Sequence, residues 1–283
     1  MSSRLPSARF LSDLSSLLRT PSRDLQALQA KWPEIDDGLS KERQALLARV
    51  PHDDPIRDTT DLLSPLNSDA GEVLHTLALA YIFSPLRSHG LGHAPLAQFL
   101  AAVLKIPEAK GSAASEIITA LRSPRTEVAV IPERRHILAK TRLRKVPRTD
   151  IWIEVRGRTG TRVIVIENKI YSLEQDRQLD DYALQTTSWC KKHAGNSRPL
   201  LIFLTRDGRR PTADRKKCWI PVSYASLTGV LRRIWQRNKG ARGAGWLRLY
   251  IASQLRGVHG LTINGDRPLD VGALRNYLGD QTA

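Results

Sequence analysis

Cysteine is scarce in this chain: its 283 residues contain only two, Cys190 and Cys218. So few cysteines exclude a disulfide-stabilised scaffold and a cysteine-rich zinc module, and they are typical of a reducing compartment. A long apolar run is also missing, since the most apolar window, residues 73–86, is shorter than the ~20 residues that cross a bilayer. The N-terminal residues lack the apolar core of a signal peptide. We therefore expect a cytoplasmic protein with no membrane partner.

Acidic residues are in short supply, with 28 Asp and Glu against 44 Lys and Arg, a formal net charge of +16. The imbalance is uneven along the chain. Residues 1–66 carry 9 basic and 10 acidic side chains, whereas residues 67–283 carry 35 basic and 18 acidic ones. Such a basic body favours a polyanionic partner, nucleic acid before an anionic membrane. General basicity from an arginine-rich genome is the alternative.

Prolines divide the N-terminal part of the chain. Leucine spacing predicts helices at 8–19, 22–32 and 40–50, and Pro21, Pro33 and Pro51 are expected to break these segments. Residues 50–67, rich in proline and aspartate, are interpreted as a linker. We predict a helical N-terminal appendage and linker at 1–66 and the main domain at 67–283.

The main domain mixes two periodicities. Helical patterns are found at 69–83, 94–104, 112–122, 172–192, 226–237 and 244–256, and strand patterns at 127–132, 150–155, 163–169, 200–204 and 219–222. Ser172-Leu-Glu-Gln175 has the form of a capping box and predicts the start of the helix that follows. Strands flanked by helices in this order predict an α/β or mixed α+β fold.

Three charged side chains lie at the ends of two neighbouring predicted strands. Glu167 and Lys169 share a face because they are two residues apart. The glycine-containing turn at 156–162 predicts a hairpin, and folding it brings Asp150 roughly opposite Glu167. Two convergent carboxylates bind a hard cation such as Mg²⁺, which activates water and neutralises phosphate charge, and a lysine stabilises developing charge. An ordinary cross-strand salt bridge is the alternative.

A family resemblance extends this interpretation. Pro147-Arg-Thr-Asp150, followed after sixteen residues by Glu167-Asn-Lys169, resembles the signature of the PD-(D/E)XK nuclease superfamily, although the proline is separated from the aspartate. A bacterial branch with an Ile-Glu-Asn-Lys motif is similar over about residues 67–260. The matching segments are Glu72 before Ser84–Gly92, Ile166–Ile170 before Gln178 and Tyr182, Leu200–Thr205 before Asp207-Gly208, and Trp219–Tyr224.

The resemblance implies a restriction-endonuclease-like core, with a central mixed sheet flanked by helices, and metal-dependent phosphodiester hydrolysis. It implies Asp150 and Glu167 as metal ligands and Lys169 as the catalytic lysine. Glu72 is expected to add a carboxylate to the metal shell. Mg²⁺ is the expected cofactor, with Mn²⁺ as an alternative.

Further residues are candidates for catalytic or substrate contacts, with Gln178 expected in the catalytic set. Gln178 and Tyr182 share a helix face because they are four residues apart, and we expect them to reach the site or the nucleic-acid backbone; a polar helix edge with a core tyrosine is the alternative. Basic runs at 134–149, 206–217 and 232–248 offer phosphate contacts, against the alternative of a solvated face. From the first run we select Arg142, Arg144, Lys145 and Arg148.

These features together favour a Mg²⁺-dependent endonuclease that acts on DNA rather than RNA. A setting in restriction or defence follows from analogy alone. Two alternatives stay open, a catalytically quiet nucleic-acid-binding module with a nuclease fold and an RNA-cleaving toxin. A homodimer is a candidate assembly.

Overall fold

The computed structural model describes residues 22–66, 71–135, 148–172, 174, 177–212, 214, 217–261 and 271–279. The chain divides into two compact units, residues 1–51 and 52–283. In the described part of the first unit, helix α1 (Ser22–Ala48) continues through Pro33. The predicted break at Pro33 is wrong, because the good helix formers on both sides outweigh the loss of one backbone hydrogen bond. The predicted helix at 8–19 lies outside the described residues.

In its described part, the second unit has three α-helices, three strands, one α-helix, two strands and three α-helices, in that order along the chain. Its helices are α2 (Glu72–Phe83), α3 (Ala94–Val103), α4 (Ala114–Leu121), α5 (Gln178–His193), α6 (Tyr224–Arg237), α7 (Ala244–Ser253) and α8 (Val271–Leu278). Its strands are β1 (Glu127–Arg135), β2 (Arg148–Gly157), β3 (Gly160–Lys169), β4 (Leu200–Thr205) and β5 (Ile220–Ser223). In the described part of the chain, no helix is long and apolar enough to cross a membrane.

The described strands form one mixed five-stranded sheet in the order β1-β2-β3-β4-β5. Strands β1, β2 and β3 are antiparallel, and β4 and β5 continue the sheet parallel to β3. The middle of β3, residues 163–166, and residues 200–204 of β4 are apolar and buried, as expected when helices cover both faces of a sheet. This arrangement confirms the predicted α/β fold class with a restriction-endonuclease-like sheet.

The two faces of β3 are covered by different helices. Val163 and Val165 pack in one cluster with Leu179 of α5, whereas Asn168 contacts Thr76 of α2. Side chains alternate between faces along a strand, so Glu167 and Lys169 point toward the α5 side. The fold thereby places these two charged groups at the end of the strand, under the first turn of α5.

The acidic segment at 52–61 is part of the second unit rather than a linker. Asp54, which is fully buried, pairs with Arg232 of α6 at 2.7 Å. Asp58 pairs with Arg248 of α7, and Asp61 with Arg256 at 2.6 Å. The linker interpretation fails because these carboxylates pair with arginines of the basic run at 232–248 and with Arg256. The pairing partly neutralises the positive charge of that run.

Candidate active site

The ends of β2 and β3 bring the two predicted metal ligands together. The last paired residues are Ile151 and Ile166, and Asp150 and Glu167 are the next positions in the same register. Residues opposite each other in an antiparallel pair lie close enough to interact. This antiparallel pairing confirms the predicted hairpin. Asp150 also accepts the backbone N–H of Asn168 through Oδ2 at 2.7 Å.

Glu167 is fully buried and only half satisfied. Its Oε1 accepts a hydrogen bond from Gln178 Nε2 at 2.9 Å and lies 3.3 Å from Lys169 Nζ. Its Oε2 has no hydrogen-bond partner among the described residues. A buried polar atom without a partner costs about 1–3 kcal/mol. This oxygen is therefore a strong candidate to bind a group that the protein itself does not supply.

The electrostatics of the pair also favour a cation. Burial raises the pKa of Asp150 to about 6. Burial, and next the charge of Asp150, raise the pKa of Glu167 well above its usual range. Burial acts to lower the pKa of Lys169, but the charges of Glu167 and Asp150 outweigh it and raise that pKa. Two buried carboxylates beside one ammonium fit a divalent cation bound through oxygen.

Glu72 is engaged elsewhere. Its Oε1 accepts the backbone N–H groups of Ile170, Tyr171 and Ser172 at 2.8, 3.1 and 2.9 Å, and its Oε2 accepts Ser172 Oγ at 2.7 Å. The described residues contain no group of three or more His, Cys, Asp or Glu side chains arranged to hold a metal ion. This geometry favours an anchoring role for Glu72 over the predicted place in a metal shell.

The contacts of Ser172 explain why the predicted helix start is wrong. Helix α5 begins at Gln178, six residues later than the capping box suggests, after Arg177 in a left-handed conformation with φ of 61°. Ser172 gives both its N–H and its hydroxyl to Glu72. A partner from a distant helix therefore replaces the local capping interaction that the pattern predicts.

The first turn of α5 reaches the site, as expected from the family resemblance. Gln178 Nε2 donates to Glu167 Oε1 and to Tyr182 Oη, the latter at 3.1 Å. Tyr182 Oη in turn donates to the carbonyl oxygen of Arg148 at 2.6 Å. The tyrosine is only 6% exposed, and burial raises its pKa to about 12. The arrangement favours a neutral hydroxyl that orients Gln178, rather than the predicted contact with nucleic acid.

Comparison with known protein families identifies the superfamily of this chain. Residues 60–248, well over half of its length, match the PD-(D/E)XK nuclease superfamily. The chain belongs to this superfamily. Members of the PD-(D/E)XK superfamily are generally nucleases and generally use divalent metals such as Mg²⁺. Searches of curated proteins and of solved structures gave no match.

Of the arginines and lysine predicted to contact nucleic acid in this PD-(D/E)XK chain, the structure describes only Arg148. Arg142, Arg144 and Lys145 lie outside the described residues. Arg148 is half exposed, but its Nη1 pairs with Glu133 Oε2 at 2.6 Å. A phosphate would have to compete with that carboxylate, so Arg148 is a weaker candidate than the sequence suggests.

Asn168, the middle residue of the superfamily's Glu-x-Lys element, links the site to two helices but is not among the predicted site residues. Its Nδ2 donates to the carbonyl oxygen of Glu72 and to Thr76 Oγ1, each at 3.1 Å. Its Oδ1 accepts Tyr224 Oη at 2.8 Å. These bonds join β3 to α2 and α6 behind the two catalytic candidates. The available signal was one polar residue between two charged ones at the end of an apolar strand.

Proposed function

We propose that this protein is a Mg²⁺-dependent endonuclease that hydrolyses phosphodiester bonds of nucleic acid, with DNA favoured over RNA. The observation that carries the proposal is the buried, unpartnered Oε2 of Glu167 beside Asp150 and Lys169. A purely structural salt bridge leaves that oxygen unexplained, whereas a cation ligand accounts for it. Mn²⁺ is the alternative ion, because it also prefers carboxylate oxygen.

The two carboxylates carry the metal-binding part of the proposal. Asp150 and Glu167 would hold the ion, which when bound supplies an activated water and neutralises phosphate charge. The protein orients each carboxylate separately. The N–H of Asn168 fixes Asp150, and the amide of Gln178 fixes Glu167. Such preorganisation places the ligand atoms before substrate arrives.

Lys169 acts as a hydrogen-bond donor in this scheme. In the metal-free protein, burial acts to lower the pKa of Lys169, but the charges of Glu167 and Asp150 outweigh it and raise that pKa, so the ammonium is protonated at neutral pH. A protonated lysine donates to a phosphate oxygen and stabilises the charge that develops there. Its low exposure, 13% of the side chain, keeps this charge in a partly dehydrated setting where it acts more strongly.

Glu72 serves this site as a positioning residue. Its carboxylate gathers three consecutive N–H groups directly after Lys169. A hydrogen bond to a charged group contributes about 1.5–3 kcal/mol, so the segment at 170–172 is held firmly. This anchoring keeps the end of β3, and with it Lys169, in register with the neighbouring strand.

The DNA preference and a role in restriction or defence rest on analogy with the superfamily. The test uses purified protein with supercoiled plasmid, linear DNA, single-stranded DNA and tRNA, each with and without Mg²⁺ or Mn²⁺. We expect metal-dependent nicking and linearisation of the plasmid. Cleavage of tRNA alone would favour the toxin alternative, and retarded but uncut DNA would favour a quiet binding module.

Matched variants make this test specific. Glu167→Gln should abolish cleavage and leave binding of the plasmid largely in place. Glu116→Gln is the control, because Glu116 is exposed and pairs with Arg162 near the other end of β3. If both variants cut like the unmodified protein, the assignment of the active site is wrong.

A further inference from the structure

A cavity of about 430 Å³ opens beside Lys169, at the edge of the sheet where the parallel strands β3 and β4 both end. It is lined by Lys169, Ile170, Tyr171, Ser172, Thr205, Arg206, Asp207 and Arg209. Three of these side chains are cationic and one is anionic. The cavity is large enough for one nucleotide unit of a polyanion.

The cations near this cavity differ in whether they are already paired. Arg209 forms an ion pair with Glu174, and the neighbouring Arg210 forms one with Glu108. Arg206 is exposed and has no carboxylate partner among the described residues. Of the basic residues described between 206 and 210, Arg206 is therefore the one whose charge is left for an external anion.

Tyr171 orients Arg206 toward the cavity. The guanidinium carbon lies 5.7 Å from the centre of the tyrosine ring, within the range of a cation–π contact. The ring is fixed at both ends: its hydroxyl donates to the carbonyl oxygen of Gly257 at 2.9 Å, and its backbone N–H donates to Glu72. The ring, which is 55% exposed, is therefore held in place beside Arg206.

Asp207 is the anionic member of the lining, and its carboxylate belongs to the turn. Its Oδ1 accepts from Thr205 Oγ1 at 3.2 Å and from the N–H of Arg209 at 3.1 Å. Burial acts to raise the pKa of Asp207, but these hydrogen bonds outweigh it and hold that pKa below its usual value. It reduces the net charge of the cavity without pairing with Arg206.

We infer that Arg206, oriented by Tyr171, binds a backbone phosphate of the nucleic acid next to the one that is cut. This inference rests on the proposed function, since Lys169 marks the position of the reacting phosphate. Guanidinium groups bind phosphate oxygens through two parallel hydrogen bonds. In the parallel pair of β3 and β4, Lys169 lies opposite Thr205. Arg206 is the next residue after Thr205, so both cations lie at the same end of the sheet.

The experiment measures binding of a fluorescein-labelled 20-base-pair DNA duplex by anisotropy, in a Glu167→Gln background that does not cut. Arg206→Ala is compared with Arg210→Ala over 50–200 mM KCl. Both variants remove one positive charge from the same segment, so a difference between them reflects where the charge lies and not only its loss. One lost phosphate contact lowers the slope of log Kd against log salt by about 0.9. The affinity deficit of Arg206→Ala should therefore shrink about 3.5-fold across this range, and Arg210→Ala should keep the parent slope.

Tyr171 variants test the orienting role. Tyr171→Phe keeps the ring under Arg206 and should retain the parent salt slope, whereas Tyr171→Ala should resemble Arg206→Ala. In the catalytically intact protein, Arg206→Ala should raise KM for duplex several-fold and change kcat little. Equal slopes for Arg206→Ala and Arg210→Ala would overturn the inference.

The outcomes separate this inference from the proposed function. Metal-dependent cleavage with identical Arg206→Ala and Arg210→Ala slopes overturns the phosphate contact and leaves the nuclease standing. An Arg206-specific slope in a protein that cuts no substrate supports the contact and overturns the nuclease. A protein that binds no duplex, single strand or RNA overturns both.

Discussion

Neutralising Asp150 should stabilise the metal-free protein at alkaline pH. The substitution Asp150→Asn keeps a side-chain oxygen that can accept the N–H of Asn168, so this hydrogen bond is preserved. It removes a negative charge that burial and the neighbouring carboxylates disfavour. A residue proposed for metal binding is thus predicted to reduce the stability of the protein in the absence of that metal.

The magnitude follows from the pKa of Asp150, which burial raises from 3.8 to about 6. A difference of about 2 pKa units corresponds to about 3 kcal/mol. Because the folded state binds this proton more tightly than the unfolded state, the cost is absent below pH ~4, grows as the pH rises toward 6, and is complete at pH 8. The variant should gain up to that amount relative to the unmodified protein between pH 4 and pH 8.

The assay is urea unfolding with EDTA present, followed by tryptophan fluorescence at several pH values. Glu154→Gln is the matched control on the same strand. Burial acts to raise the pKa of Glu154, but hydrogen bonds from Arg156, Trp152 and Arg134 outweigh it and lower that pKa. The ionised form of Glu154 therefore stabilises the folded protein, and Glu154→Gln should be less stable than the unmodified protein above pH ~4.5. If Asp150→Asn gains nothing between pH 4 and pH 8, the electrostatic account of the site is wrong.

Three further substitutions test other parts of the site. Lys169→Met should lower kcat by about 10²–10³-fold while titration calorimetry shows Mg²⁺ affinity retained; a collapse of that affinity would make the lysine structural. Glu72→Ala should lower turnover and speed amide hydrogen exchange at 170–172, whereas Glu72→Gln, which keeps the Oε1 acceptor, should retain most turnover; equal loss in both variants would favour a metal ligand instead. Asn168→Ala should lower the free energy of unfolding by about 1–3 kcal/mol, because it leaves the buried Tyr224 hydroxyl without its partner, and unchanged urea midpoints would contradict this role.

The parts of the site that sequence reasoning predicts are those defined by short-range geometry. Alternation along β2 and β3 and the glycine-containing turn determine the register that sets Asp150 against Glu167. A four-residue spacing on a helix determines that Gln178 meets Tyr182. Because both rules act within a strand pair or a single helical turn, a single sequence is enough to apply them.

The parts that were missed depend on residues far apart in the chain. Glu72 lies about a hundred positions before the N–H groups that it binds, and no local pattern shows that contact. The same contact prevents Ser172 from capping a helix, because its N–H and hydroxyl are already bonded to the carboxylate of Glu72. Tertiary partners of this kind override local propensity without a trace in the neighbouring sequence.

The acidic segment at 52–61 illustrates a second kind of miss. Its prolines and aspartates are typical of a linker, yet Asp54 is buried against Arg232, 178 positions later. The charges on the two segments are complementary, but a single sequence does not reveal which opposite charges meet. The same pairing explains why the basic run at 232–248 presents less free positive charge than its composition suggests.

The most direct test of the central claim is a Mg²⁺ titration of supercoiled plasmid cleavage by the unmodified protein and by Glu167→Gln, with duplex binding measured in parallel. The account predicts nicking that requires Mg²⁺ or Mn²⁺ and is lost in the variant, while both proteins bind the duplex with similar affinity. Cleavage that persists in EDTA, or that is equal in the two proteins, would contradict it.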